Sequence, residues 1–207
     1  MRQIVLATRN AKKIHELERI LLAAGLEDVG LAGPELYATL PEIPETGLSF
    51  AENALIKARA VAAATGLPAV ADDSGLCVDA LNGMPGVLSA RWSGRFGDQA
   101  GGPDRDTANL QLVLDQVADV PEAALGAHFT CAAALVHPDG TEHVVEGVVL
   151  GHLVRTPRGT GGFGYDPIFV PDGETRTTAE MSAQEKDAIS HRGRAFRALV
   201  PLLKEEG

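Results

Sequence analysis

The sequence predicts an α/β protein, a single unit built on a mixed β-sheet, and three observations carry that expectation. Apolar runs of strand length alternate with capped helical segments in the order strand, helix, helix, strand, helix, hairpin, helices. No repeat, low-complexity tract or long linker divides the 207 residues, so one domain over 1–207 is expected. With 45% hydrophobic and 22% charged residues, the chain can bury a sizeable core.

Residues 3–7 read as a short buried strand, after which Asn10 caps a helix whose Ile14, Leu17, Leu21 and Ala24 fall at helical spacing, and Gly25 ends it. The Pro- and Gly-rich stretch 29–47 is a loop with room for one short strand. Ser49 and Glu52 form a capping-box pattern that opens an Ala-rich helix to about Thr65, closed by Gly66 and Pro68. A strand at 69–71 is expected to end in Asp72-Asp73-Ser74-Gly75. A helix over 104–117 precedes a hairpin of strands 129–136 and 144–150, with Pro138-Asp139-Gly140 as its turn. A glycine-rich segment, 159–164, leads to a strand at 168–170. Ser182 with Glu185 is a second capping box, and Ser190 caps a last helix with Phe196, Leu199, Val200 and Leu203 on one face, which Pro201 should kink or loosen.

Eighteen basic residues against 28 acidic ones leave a formal net charge of -10, which opposes a polyanionic nucleic acid or an anionic membrane as partner. A small anionic substrate remains allowed, because a few local cations or a metal can outweigh the global field at one site. The apolar run at 4–7 is shorter than a signal-peptide core and no run is long enough to span a bilayer, so a cytoplasmic protein is expected. Cys77 and Cys131 have apolar neighbours and no Cys-x-x-Cys spacing, and read as buried free thiols.

Several segments bear chemistry. Thr8-Arg9-Asn10-Ala11-Lys12-Lys13 brings small polar side chains and lysines to a helix N-terminus, a setting for phosphate, although an ordinary Asn cap with solvated lysines uses the same residues. Asp72-Asp73 at the end of a buried strand sets two carboxylates side by side, calling for a proton or a cation such as Mg2+, or else one of them caps the next turn while the other faces water. Glu45 offers a further hard oxygen, and Asn53 and Lys57 share one helix face at i, i+4. Residues 159–164 match Gly-x-Gly-x-x-Gly, but no helix follows, so the dinucleotide-binding reading fails on context. That loop presents Phe163 and Tyr165 beside Asp166, suited to stacking on a planar base, while a tight turn with Phe163 in the core is the alternative. Lys186, His191 and Arg192 gather donors near a helix start. The histidines lack zinc spacing, and no Gly-x-Ser-x-Gly is present.

Taken in series, residues 7–13, Glu45-Thr46-Gly47 with 50–58, 71–76, 83–86, 89–94, 163–167 and 189–193 resemble the inosine/xanthosine triphosphate pyrophosphatase family, in that family's order and across essentially the whole chain. The resemblance implies a Mg2+-dependent hydrolase that converts ITP, dITP and XTP to the monophosphate and pyrophosphate. It also implies a two-lobed α/β protein with an elongated mixed sheet flanked by helices, an active site in the inter-lobe cleft, and a homodimer. By similarity, residues 8–13 and Lys57 hold the triphosphate, Asp73 with Glu45 manages metal and water, and Ser74 contacts substrate. Phe163, Gly164, Tyr165, Asp166, Lys186, His191 and Arg192 would surround the base. With Lys13, Lys57, Lys186 and Arg192 placed there, the site would be locally cationic inside an acidic molecule once Mg2+ is bound.

The chemistry agrees with that assignment. A triphosphate needs charge neutralisation more than covalent help, and a carboxylate, assigned to Asp73, suffices to activate water. Donors facing the 6-keto oxygen of hypoxanthine or xanthine would reject adenine by a factor of order 10⁴. Two positions depart from the family pattern: Arg9 stands where Gly is common, and either swings into solvent or adds a cation beside the phosphates. Pro44 occupies the first place of a common acidic pair, leaving Glu45 alone. A haloacid-dehalogenase-type phosphatase would need Asp-x-Asp after the first strand, where Thr8-Arg9-Asn10 stands, and a nucleotide sensor would bind without turnover.

Overall fold

Alternation along the strands decides which helices cover which face of the sheet. In a computed structural model, which describes residues 2–25, 29–98 and 102–204, the strands are β1 (Arg2–Leu6), β2 (Val29–Ala32), β3 (Ala69–Val78), β4 (Met84–Pro85), β5 (Gly126–Val136), β6 (Glu142–Leu153) and β7 (Phe169–Pro171). They form one mixed sheet in the order β2-β1-β3-β5-β6-β7, with β4 on β3. β1 runs parallel to both β2 and β3, in register Val5 to Ala32 and Val5 to Ala69, while β3–β4 and β6–β7 are antiparallel. The helices are α1 (Ala11–Ala23), α2 (Phe50–Thr65), α3 (Arg105–Gln116), α4 (Ala183–Ile189) and α5 (His191–Lys204).

The fold divides into two compact units, Met1–Asp73 with Cys131–Gly147 and Ser190–Gly207, and Ser74–Thr130 with Val148–Ile189. In the first, Ile4, Leu6, Val70, Cys131, Ala133 and Leu135 cluster with Leu17, Ile20 and Leu21 of α1 and Phe196, Leu199, Val200 and Leu203 of α5. The alternate residues, Val5, Ala7, Ala69, Ala71, Ala132, Ala134 and Val136, cluster instead with Ala54, Ala58, Val61 and Ala62 of α2. Period-two alternation thus makes a three-layer unit. The second unit packs Leu76, Val78, Leu110, Val113, Tyr165 and Ile168 around Phe129 and Phe169, whose rings meet edge-on at 4.8 Å.

Both expected capping boxes form: Ser49 Oγ accepts from Glu52 N while Glu52 accepts from Ser49 N, and Ser182 and Glu185 do the same. Two expectations need correction. The strand expected at 69–71 runs ten residues to Val78, so the Asp pair lies inside it; poor strand formers are held there by tertiary partners, which override local propensity. Residues 166–168 make a short 3-10 turn before β7 begins at Phe169. Pro201 stands inside α5, near its end, and the helix continues to Lys204. Both hairpin arms are longer than expected, and Cys77 and Cys131 are buried free thiols. No helix among the described residues is long and apolar enough to cross a membrane.

Candidate active site

In the first unit, α1 begins at an Asn cap: Asn10 Oδ1 accepts from Lys12 N and Lys13 N at 3.0 and 3.3 Å, and Thr8 Oγ1 accepts from Asn10 N at 3.2 Å. Two first-turn amides, those of Lys12 and Lys13, are therefore already engaged. Ala11 and Lys12 are exposed, and Lys13 is half-buried with its Nζ 3.0 Å from Asp72 Oδ2.

The strand position of the Asp pair decides its chemistry. Successive side chains point to opposite faces, so Asp72 follows Val70 toward α1 and α5 while Asp73 follows Ala69 and Ala71 toward α2. The two carboxylates therefore turn to different hydrogen-bond partners. Asp72 Oδ2 accepts from Lys13 Nζ and from Arg192 Nε at 3.1 Å, with Cys131 Sγ at 4.0 Å, and Arg192 Nη1 also donates to Glu16. Burial alone would push the Asp72 carboxyl up, but Lys13, Arg192 and Lys57 more than offset it and hold it well below the usual carboxylate range.

Asp73 has a different neighbourhood. Asn53 Nδ2 donates to its Oδ2 at 2.9 Å, and Lys57 Nζ lies 3.6 Å from Oδ1 and 2.6 Å from Glu45 Oε1. Burial, reinforced by the Glu45 charge, pushes the Asp73 carboxyl up against the opposing pull of Lys57. For Lys57 the balance reverses: burial favours the neutral amine, but Asp73, Asp72 and Glu45 together raise its pKa and keep it an ammonium. Asn53 also accepts from Gly47 N at 2.8 Å, so one amide locks both the loop and the carboxylate. Its i, i+4 relation to Lys57 was visible in the sequence, but its Asp73 contact was not.

The second unit presents another buried acid. Asp166 Oδ2 accepts from Phe163 N at 2.8 Å and Lys186 Nζ at 2.6 Å, and Oδ1 from Thr178 Oγ1 at 2.8 Å. The Lys186 ammonium lies 5.0 Å from the Phe163 ring centroid, a cation–π contact. Phe163 is half-buried and outside the core cluster, whereas Tyr165 is in it, its hydroxyl donating to Ser89 O at 2.8 Å. A tight turn does form, with Asp166 N donating to Phe163 O at 3.3 Å, but the Phe163 ring is not in the core, whereas the Tyr165 ring is committed to packing. Gly164 N donates to Asp106 Oδ2 at 3.3 Å, and Ser74 is half-buried at the start of this unit. His191, buried, opens α5 of the first unit.

The four cations expected to make the site positive all face carboxylates: Lys13 with Asp72, Lys57 with Glu45 and Asp73, Lys186 with Asp166, and Arg192 with Asp72 and Glu16. Such pairing is expected of buried charges, since burying one without a partner costs far more than pairing it. Glu45 and Asp73, two hard oxygen donors converging on one ammonium, fit a Mg2+ ion, which is usually held by one or two carboxylates plus water and phosphate oxygens. No group of three or more His, Cys, Asp or Glu side chains arranged for a metal occurs among the described residues.

With this geometry in place, comparison with known proteins is specific. Residues 4–202 match the model of the Ham1 family. A dITP/XTP pyrophosphatase from Streptomyces coelicolor is 62% identical over 205 residues, 99% of this chain and 98% of that protein. One from Frankia alni is 59% identical over 98% of both. Among solved structures, a Ham1 protein from Coxiella burnetii is 40% identical with a TM-score of 0.85, covering 99% of this chain and 100% of that one. A nucleoside-triphosphatase / dITP/XTP pyrophosphatase from Mycobacterium abscessus is 55% identical with a TM-score of 0.73, over 98% and 100%.

Proposed function

The chain belongs to the Ham1 family, and from that premise we propose that it hydrolyses non-standard purine nucleoside triphosphates, dITP, ITP and XTP, to the monophosphate and pyrophosphate. The observation that carries the reading is Asp73: a carboxylate with raised proton affinity, oriented by Asn53 and facing Lys57 and Glu45.

In this reading water attacks the α-phosphorus, the α–β anhydride bond breaks, and pyrophosphate leaves. Asp73, tied at Oδ2 by Asn53, accepts the water proton at Oδ1. Buried and fixed by Asn53, the carboxylate is held in one orientation toward that proton. Thr8, Asn10, Ala11, Lys12, Lys13, Lys57 and Ser74 engage the triphosphate. Because Lys13 and Lys57 are already paired, they cannot by themselves neutralise about four negative charges. Mg2+ held by Glu45 and Asp73 would supply that missing positive charge.

For the base, the Phe163 ring is the stacking platform and Lys186, aimed by Asp166, the donor to the 6-keto oxygen. Gly164, Tyr165 and Asp166 frame it, the tyrosine through its backbone. His191 and Arg192 complete the contacts, with the Arg192 guanidinium already engaged by Asp72 and Glu16. The proposal includes a homodimer in the cytoplasm, the first point open to light scattering.

Incubation with ITP and Mg2+ tests the activity. IMP and pyrophosphate are expected, with weak turnover of ATP and GTP and none in EDTA. Orthophosphate as first product would point to a phosphatase instead, and binding without turnover to a nucleotide sensor.

A further inference from the structure

Arg9 stands between two residues assigned to the triphosphate, yet its guanidinium is turned to the protein. Nη2 donates to the Leu40 carbonyl at 2.5 Å, with the Tyr37 carbonyl at 3.4 Å, and the guanidinium lies 5.6 Å from the Tyr37 ring centroid. In the opposite direction, the Tyr37 hydroxyl donates to the Leu6 and Thr8 carbonyls at 2.9 and 3.0 Å. The two side chains form a reciprocal clasp between the end of β1 and the segment 33–47.

That segment carries Glu45, whose carboxylate holds Lys57, and its far end is anchored where Gly47 N donates to Asn53. Between these anchors and the short turn at Pro34–Tyr37, the clasp determines where the segment lies.

We propose that Arg9 is a positioning residue that acts with Tyr37 to hold segment 33–47, and through it Glu45, and is not a cation that touches phosphate. A planar guanidinium can place donors on carbonyls while stacking on a ring, whereas a lysine ammonium is a compact point charge that cannot reproduce that geometry. Moving the guanidinium to a phosphate would forfeit both carbonyls and the ring. The kinetic half of this inference rests on the proposed pyrophosphatase activity; the structural half does not.

The test measures amide hydrogen exchange across 33–47 and ITP kinetics in the wild type, Arg9→Lys, Arg9→Ala and Tyr37→Phe. The Leu40 amide, which donates to Tyr37 O at 3.0 Å, is the reporter. All three variants are expected to speed its exchange about tenfold and to lower kcat for ITP more than they change KM, with lysine giving no rescue. Wild-type exchange and kinetics in Arg9→Lys, with a raised KM alone in Arg9→Ala, would overturn the proposal in favour of a phosphate-binding cation. Faster exchange with unchanged kinetics would overturn the link to Glu45. If the wild type hydrolyses no ITP, the activity assignment fails and the exchange data alone decide the clasp.

Discussion

Replacing Asp72 by Asn keeps the shape of the side chain and removes the one charge that Lys13 and Arg192 share. The Asp72 and Arg192 side chains are 0% and 2% exposed, so the guanidinium cannot recover its lost partner from water, while Lys13, at 16%, has partial access. Breaking a buried pair by removing one member costs about 3–5 kcal/mol. Glu16 still faces Arg192, which puts the expected loss near the lower limit, about 3 kcal/mol. For a chain of this size each 1 kcal/mol moves Tm by about 2–4 °C, giving a fall of about 6–12 °C. Lys13→Met, which leaves Asp72 on Arg192, should cost only about 1 kcal/mol. The pH dependence has a definite sign. Asp72 is held below its unfolded value, so its contribution is present above about pH 3.9 and is lost as pH falls further. Urea unfolding followed by circular dichroism at pH 7 and at pH 3 measures both effects. A loss under about 1 kcal/mol at pH 7, or an unchanged acid slope in Asp72→Asn, would refute the ion-pair account.

Asp73→Asn should cut ITP turnover about 10²–10⁴-fold. Asp73 is shifted upward, so its ionised form carries a folding penalty at neutral pH, and Tm should hold or rise; near-normal turnover would move the base to Glu45. Phe163→Ala should raise KM for ITP about tenfold, from a stacking contribution of about 1–3 kcal/mol, and an unchanged KM would remove the ring from the base contacts. Gly162→Ala would place a Cβ 2.0 Å from Asp166 Oδ2 at a residue with φ of +68°. The left-handed strain alone is about 1–2 kcal/mol, and displacement of Asp166 from Lys186 should lower kcat/KM for ITP about tenfold or more, with unchanged steady-state kinetics refuting that role.

Much of the fold was legible because its signals are local. A cap and the amides it serves lie within three residues, as at Asn10, Ser49 and Ser182, and the buried face of α5 repeats at helical spacing. The same holds for the identity of the candidate site: Asp73, Glu45, Lys57, Phe163 and Lys186 announced themselves by type and motif. What was illegible is which charge meets which. Lys13 and Asp72 are 59 positions apart, Arg192 and Asp72 are 120, and Arg9 and Leu40 are 31.

The Asp pair shows the division most sharply. By itself the sequence determined that two carboxylates stand together after a buried apolar run, and composition determined that the molecule is acidic. Only the tertiary structure decided that the run is a ten-residue strand, so that the pleat turns Asp72 to an ion-paired core and Asp73 to Asn53 and Lys57. The reason is that strand length and charge pairing depend on neighbours brought in from distant parts of the chain, and local propensity carries no information about them.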